Sequence, residues 1–183
     1  MRIFLVLLIS LYSFSIPKAA GQVYEVKNGT ILFHSSAELE LIKASSDQLK
    51  GLVDTDKKNF AFKISMNSFR GFNSPLQREH FNENYVESGK FPDASFSGKI
   101  IEDDDLTKDG TYTLRAKGLL TVHGVSQERI IRSNVTVRQG KIKLNSIFTV
   151  LLTDHNIKIP RIVSEKLSSE IKVEIQAELE EKK

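Results

Sequence analysis

The stretch from Thr111 to Leu152, TYTLRAKGLLTVHGVSQERIIRSNVTVRQGKIKLNSIFTVLL, decides the fold. Its first run puts Tyr112, Leu114, Ala116, Gly118, Leu120 and Val122 on one side and Thr113, Arg115 and Lys117 on the other, the period of two of a strand with one wet face. The tripeptide His123-Gly124-Val125 interrupts the alternation. Ile131, Val135 and Val137 then alternate with Arg132, Asn134 and Thr136 up to a break at Gln139-Gly140, after which Ile142, Leu144, Ser146, Phe148, Val150 and Leu152 share a face. Three strands joined by breaks this short form an antiparallel meander, because parallel neighbours need crossovers of about a dozen residues or more.

The same alternation continues on both sides. Val23 to Val26, then Ile31, Phe33, Ser35, Ala37, Leu39 and Leu41, read as a first strand region with Asn28-Gly29 as the turn inside it. Leu49 to Asp54 and Phe60, Phe62, Ile64 and Met66 are two further strands split by a charged hairpin tip, Asp54 to Asn59. Alternation stops at Phe69. There Ser74 is placed to cap a short helix over residues 75–84, with Pro75 at its first position and Leu76, His80 and Phe81 on one face. Strands resume with Ala94, Phe96, Gly98 and Ile100, and a last one carries Ile171, Val173, Ile175, Ala177 and Leu179 opposite Lys172, Glu174, Gln176 and Glu178. Between Thr153 and Ser169 little periodicity is visible. About eight strands and one helix predict an all-β fold, an antiparallel barrel whose closure removes exposed edges, with a two-sheet sandwich as the alternative.

The first 21 residues stand apart. Arg2 precedes an apolar run from Ile3 to Ile16, followed by Pro17, Lys18 and the small residues Ala19, Ala20 and Gly21. This is the pattern of a secretory signal with cleavage after Gly21 or Ala20, and the run is shorter than the roughly 20 residues that span a bilayer. It leaves residues 22–183 as one domain, expected in the periplasm or secreted, with no stable membrane span. Without Arg2 and Lys18 the chain has 24 basic against 23 acidic side chains, so the footprint that nucleic acid requires is missing. With no cysteine the fold uses no disulfides, and a bacterial envelope compartment suits it.

Signatures of catalysis are scarce. Histidines 34, 80, 123 and 155 have none of the spacings of a metal-binding pair, no thiol nucleophile exists, and no serine sits in a Gly-x-Ser-x-Gly elbow. The run Glu102-Asp-Asp-Asp105 lacks the ligand spacing of a calcium loop and reads as a solvated turn. Asp154, His155 and His123 are the one conceivable hydrolytic or metal constellation, although neighbours on an extended chain point apart. His123 reads chiefly as a bend residue supported by Gly124, and otherwise as a polar group at a pocket mouth. No enzyme activity and no cofactor are expected.

The run Leu120-Thr-Val-His-Gly-Val125 resembles the Leu-Thr-Ile-His-Gly-Val signature of the YceI-like family. His80-Phe81 followed by Lys90-Phe-Pro-Asp-Ala-Ser-Phe96 is similar to that family's step from a helix into a strand ending in Phe. The resemblance spans roughly Leu49 to Leu179, and implies a lipocalin-like barrel with an elongated interior that in some members binds long isoprenoid chains. Two features depart from it: the chain has no tryptophan, and the segment Asp154 to Pro160 looks like a variant loop near the barrel end. The expected partner is an apolar lipid or polyisoprenoid held by Phe62, Phe96, Leu120 and Phe148, with Phe81, His80 and His123 at the mouth. Arg70, Arg78, Lys158 and Arg161 are placed to meet an anionic head group, and a second copy of the chain is a further candidate partner. The alternative is an interaction module of the envelope whose barrel is packed solid.

Overall fold

In the computed structural model, which describes residues 22–183, the strands are β1 (Val23–Ser36), β2 (Leu41–Ser46), β3 (Lys50–Asp54), β4 (Asn59–Ser65), β5 (Asp93–Ile100), β6 (Gly110–Val122), β7 (Val125–Arg138), β8 (Lys141–Leu151) and β9 (Glu170–Glu181). The expected signal, residues 1–21, lies outside the described residues. The meander folds as read. Val122 pairs with Val125 and Arg138 with Lys141, so His123-Gly124 and Gln139-Gly140 are two-residue turns. All four have positive φ (50°, 71°, 51° and 71°), the backbone whose twist matches antiparallel strands. Glycine takes the second place at no steric cost, whereas His123 and Gln139 each carry the left-handed penalty of roughly 1–2 kcal/mol.

Closure comes from β1, which pairs with β9 from Tyr24 to Ser35 along one edge. Along the other edge it pairs with β3 near its start and with β2 near its end, so β2 and β3 are the halves of one interrupted stave. The result is a closed antiparallel barrel of eight staves, which removes the sandwich alternative. Asn28-Gly29 is not the turn that its sequence suggests: β1 continues through it with a bulge between Val26 and Asn28, held by β9 on both sides. The reversal falls instead at Ala37 to Glu40, where Ala37 N–H donates to the Glu40 carbonyl at 3.0 Å, and Leu41 opens β2 rather than extending β1. At the far end of the meander Leu152 leaves the strand and begins a 3₁₀ turn, Leu152–His155.

Backbone approaches backbone closely between β5 and β6, where Gly98 pairs with Gly118. A Cβ on either would stand 2.1–2.2 Å from a carbonyl oxygen of the other strand. Only two glycines permit that approach and the bend it gives the wall.

One end of the barrel is packed solid. Tyr24, Val53, Leu106, Leu114, Val135, Val137, Ile142 and Leu179 interlock there, and Leu179 has no accessible surface. Leu106 reaches into this end from the loop after Ile100. The acidic run in that loop is paired, not merely solvated: Glu102 takes bonds from the Arg115 backbone N–H at 2.6 Å and its Nε at 2.7 Å, and Asp103 meets Lys58. On the outer face, Lys141–Glu180 and Lys143–Glu178 pair across β8 and β9 at 2.7 Å each, exposed contacts that water screens and that add little to stability.

Candidate functional site

The other half of the barrel is hollow. A cavity of about 590 Å³ is lined by inward side chains of every strand except β3. Its wall includes Phe33 of β1, Phe60 and Phe62 of β4, Phe96 of β5, Leu120 of β6, Phe148 of β8 and Val173 of β9. Period-two alternation explains why these residues meet, since each stave presents every second residue to the axis. The room comes from small side chains at inward positions, Ala94, Ala116, Ser133 and Ser146, where the solid half carries Leu114, Val135, Val137 and Ile142. The alternative of a barrel packed solid therefore describes one half only, and the other half has the room that the leading reading requires.

The mouth is built by three segments. The helix α1 (Pro75–His80) starts as predicted, with the Gln77 N–H donating to Ser74 Oγ at 3.1 Å and proline at the first position. It widens into a π turn, Phe81–Tyr85, in which the Val86 N–H reaches back to the Phe81 carbonyl at 3.0 Å. This turn drives the Phe81 ring into a cluster with Phe33, Phe69 and Phe72, at centroid distances of 5.4, 5.9 and 5.1 Å. Such a cluster anchors the helix over the opening. The second segment is the Ala37–Glu40 turn. Glu40 Oε1 accepts from Asn73 Nδ2 and Gln77 Nε2, both at 3.0 Å, which ties that turn to the start of α1. The third is the 152–169 loop, fixed at its base by Leu152 N–H to the Ser169 carbonyl at 2.9 Å, and by the Ser168 N–H to the buried Ser35 Oγ at 2.9 Å. Polar groups line the cavity here: Glu40, Ser74, Gln77, His80 and Lys166.

The barrel wall has a seam on the mouth side. Pairing of β7 with β8 runs from Arg138–Lys141 to Ser133–Ser146 and stops, although both strands continue to Val125 and Leu151. Side chains bridge the parted edges. Ser146 Oγ donates to the Arg132 carbonyl at 2.8 Å, Arg129 Nη2 to that of Thr149 at 2.7 Å, Gln127 Nε2 to that of Asp154 at 2.8 Å and His155 Nδ1 to that of Val125 at 2.9 Å. Buried carbonyls left by the splitting ladder thereby keep partners.

Of the residues singled out in the sequence, Phe62, Phe81, Phe96, Leu120, Phe148 and His80 line the cavity. His123 does not. Its turn lies beside the mouth, where Nδ1 faces the His155 carbonyl at 3.0 Å, Nε2 faces Glu87 Oε2 at 2.6 Å, and the Phe91 ring stands edge-on at 4.6 Å. This places it as a bend residue rather than in the cavity wall. Arg70 and Arg78 also fall outside: both donate to the Asn67 carbonyl and brace the chain before the helix. Lys158 and Arg161 stand exposed on the outer loop, and the loop cation that reaches the lining is Lys166. Asp154 and His155 lie on a 3₁₀ turn with His155 wholly buried, and among the described residues no three histidine, aspartate or glutamate side chains gather as a metal site would need. Carboxylates held below their ordinary range stand away from the cavity, as at Asp54, where the Lys57 backbone N–H is the main cause, and at Glu178, bonded by Lys143. Among the described residues no helix is long and apolar enough to cross a membrane.

Comparison with known proteins agrees with this architecture. The family model for the YceI-like domain matches residues 20–179. A polyisoprenoid binding domain from Saccharophagus degradans is 15% identical with a TM-score of 0.71, covering 87% of this chain and 98% of that one. BcnA from Burkholderia cenocepacia is 11% identical with a TM-score of 0.68, covering 82% and 95%. The YCEI protein of Campylobacter jejuni is 16% identical with a TM-score of 0.56, covering 100% and 99%. Likeness at these identities concerns the fold. No curated protein sequence matches the chain.

Proposed function

The chain belongs to the YceI-like domain family, and from that premise we propose that it is an exported, non-enzymatic protein that holds one apolar chain, an isoprenoid or another lipid, in the open half of its barrel. The observation that carries this reading is the distribution of chemistry along the cavity: apolar side chains make most of its wall, interrupted by small hydroxyls such as Ser133 and Ser146, while Glu40, Gln77, His80 and Lys166 stand at the mouth. Burying a hydrocarbon contributes roughly 25 cal/mol per Å² of apolar area, so a long chain is held without specific polar contacts in the interior. Selection is then by length and shape, with Gln77, His80 and Lys166 available to a polar head. The name of the Saccharophagus degradans neighbour, a polyisoprenoid binding domain, supports this ligand class.

The positions of the perturbed carboxylates, all away from the cavity, support binding without catalysis, because acid and base groups tuned for chemistry are expected inside a cleft. Export rests on the basic start, apolar run and small-residue end of residues 1–21, and N-terminal sequencing of the protein recovered from the periplasm or medium checks it.

The decisive experiment is solvent extraction of the purified protein followed by mass spectrometry, with a parallel titration of the emptied protein by farnesol and longer polyprenols. Co-purifying lipid or saturable uptake is expected. Reproducible absence of both would remove the reading.

A further inference from the structure

The two ends of the barrel present different surfaces. The closed end shows charged turns, Asp54–Asn59 and Glu102–Asp105. The mouth shows large apolar side chains: Leu39 is 64% exposed, Leu76 57% and Ile162 93%. Single exposed leucines are ordinary on a protein surface, but these three stand on the three segments that frame one opening. The segments are bonded to one another. Leu39 N–H donates to the Glu165 carbonyl at 2.8 Å, and Asn73 Nδ2, at the start of the helix that carries Leu76, donates to the Leu41 carbonyl at 3.2 Å. Leu76 also lines the cavity, so the exposed apolar rim runs into the apolar interior.

We propose that this rim is a membrane-docking surface that seats the mouth on a bilayer containing anionic phospholipid. The occupant follows from continuity and from the charge of the 158–166 loop; the carboxylates beside Leu39 are Glu38 and Glu40, and Glu40 is taken up by Asn73 and Gln77. Between residues 158 and 166 the loop carries three cations, Lys158, Arg161 and Lys166, against one carboxylate, Glu165, and Ile162 projects at its tip. An apolar point set among cations suits an interface in which the side chain enters the acyl region while the cations meet phosphates. A cavity that takes a chain almost insoluble in water is also best loaded from the phase that dissolves it. The inference rests on the cargo reading given under Proposed function, and names where the cargo is exchanged.

The absence of tryptophan makes a clean test. Ile162→Trp places a single indole at the loop tip, and vesicles of phosphatidylethanolamine and phosphatidylglycerol are expected to shift its emission to the blue and, when they carry brominated acyl chains, to quench it. Phosphatidylcholine vesicles give a weaker shift. Leu39→Asp with Ile162→Asp is expected to lower vesicle co-sedimentation at least tenfold, while uptake of farnesol from water stays unchanged because neither residue lines the cavity. Unaltered emission at position 162, or sedimentation indifferent to the double substitution, overturns the docking proposal while leaving the cargo reading intact. Docking without uptake of any polyprenol by the unsubstituted protein overturns the cargo reading, and with it the exchange assigned to the rim.

Discussion

Nη2 of Arg129 lies 2.7 Å from the Thr149 carbonyl oxygen, across the place where β7 and β8 have stopped pairing. A guanidinium here replaces ladder bonds that the parted strands no longer make. The cavity wall on either side of the gap, Ile131 on β7 and Phe148 with Val150 on β8, depends on that bridge for its position.

Arg129→Ala should therefore loosen the seam without unfolding the barrel. The bond to a charged, half-exposed donor is worth about 1 kcal/mol, a small part of a domain's stability. Amide exchange should quicken over residues 126–132 and 147–151 while β6 and β9 keep their protection, since exchange reports local opening. Exchange that rises everywhere, or nowhere, would show that the bridge does not hold the seam.

The pH dependence of stability should be traceable to the closed end. Burial pushes the Glu102 carboxyl up, but hydrogen bonds from the Arg115 backbone N–H and guanidinium outweigh it and leave the group below its ordinary 4.5. Asp103 is lowered by the hydrogen bond and charge of Lys58. A carboxylate with a depressed folded-state pKa binds protons less readily folded than unfolded, so its contribution is complete above the unfolded value and is lost as pH falls through the folded one. Urea unfolding followed from neutral pH down through the carboxylate range should show midpoints falling on that limb. Glu102→Gln should make the limb shallower without abolishing it, since Asp54, Asp103 and Glu178 are lowered too; an unchanged slope would assign the acid sensitivity to those groups.

The legible parts of the structure were those written in local pattern. Alternation from Tyr112 to Val150 reveals the inward rows, and Ser74-Pro75 marks the helix start, because each depends on neighbours a few residues away. The bulge at Val26 and Asn28 was hidden, since an Asn-Gly pair makes a turn or a bulge according to its partner strand, here β9, about 150 residues later. The hollow half was partly written in Ala116, Ser133 and Ser146, small residues in rows otherwise bulky, but size becomes space only when the facing staves are known. The seam had a signal too: Gln127 and Arg129 share the parity of Ile131, so polar side chains occupy the inward row. Nothing local marks Arg70 and Arg78 as braces of the Asn67 carbonyl.

Gly118→Ala should destabilise the barrel by more than about 2 kcal/mol, the cost of overpacking where neither side can yield. A methyl there would lie 2.2 Å from the Ser97 carbonyl oxygen, and backbone cannot rotate away as a side chain does. Denaturant midpoints compared with the unsubstituted protein check this. A loss of less than 0.5 kcal/mol, the scale of ordinary surface changes, would mean that the β5–β6 approach relaxes freely.

Filling the hollow should separate stability from binding. Ala116 on β6 is a small residue of the cavity lining, with Leu120 one inward step beyond the glycine at 118. Ala116→Phe brings a ring into space that is already empty, so it adds apolar burial without the strain that the same change would cause in the solid half. The melting temperature should hold or rise. Uptake of a polyprenol should fall at least tenfold, because the ring occupies volume that the guest needs. Leu114→Phe, one inward step toward the closed end, is the control: the same kind of enlargement among buried Val135 and Ile142 should lower the melting temperature by several degrees and leave uptake nearly intact. If Ala116→Phe leaves uptake unchanged, the guest does not lie in this cavity, whatever else the barrel binds.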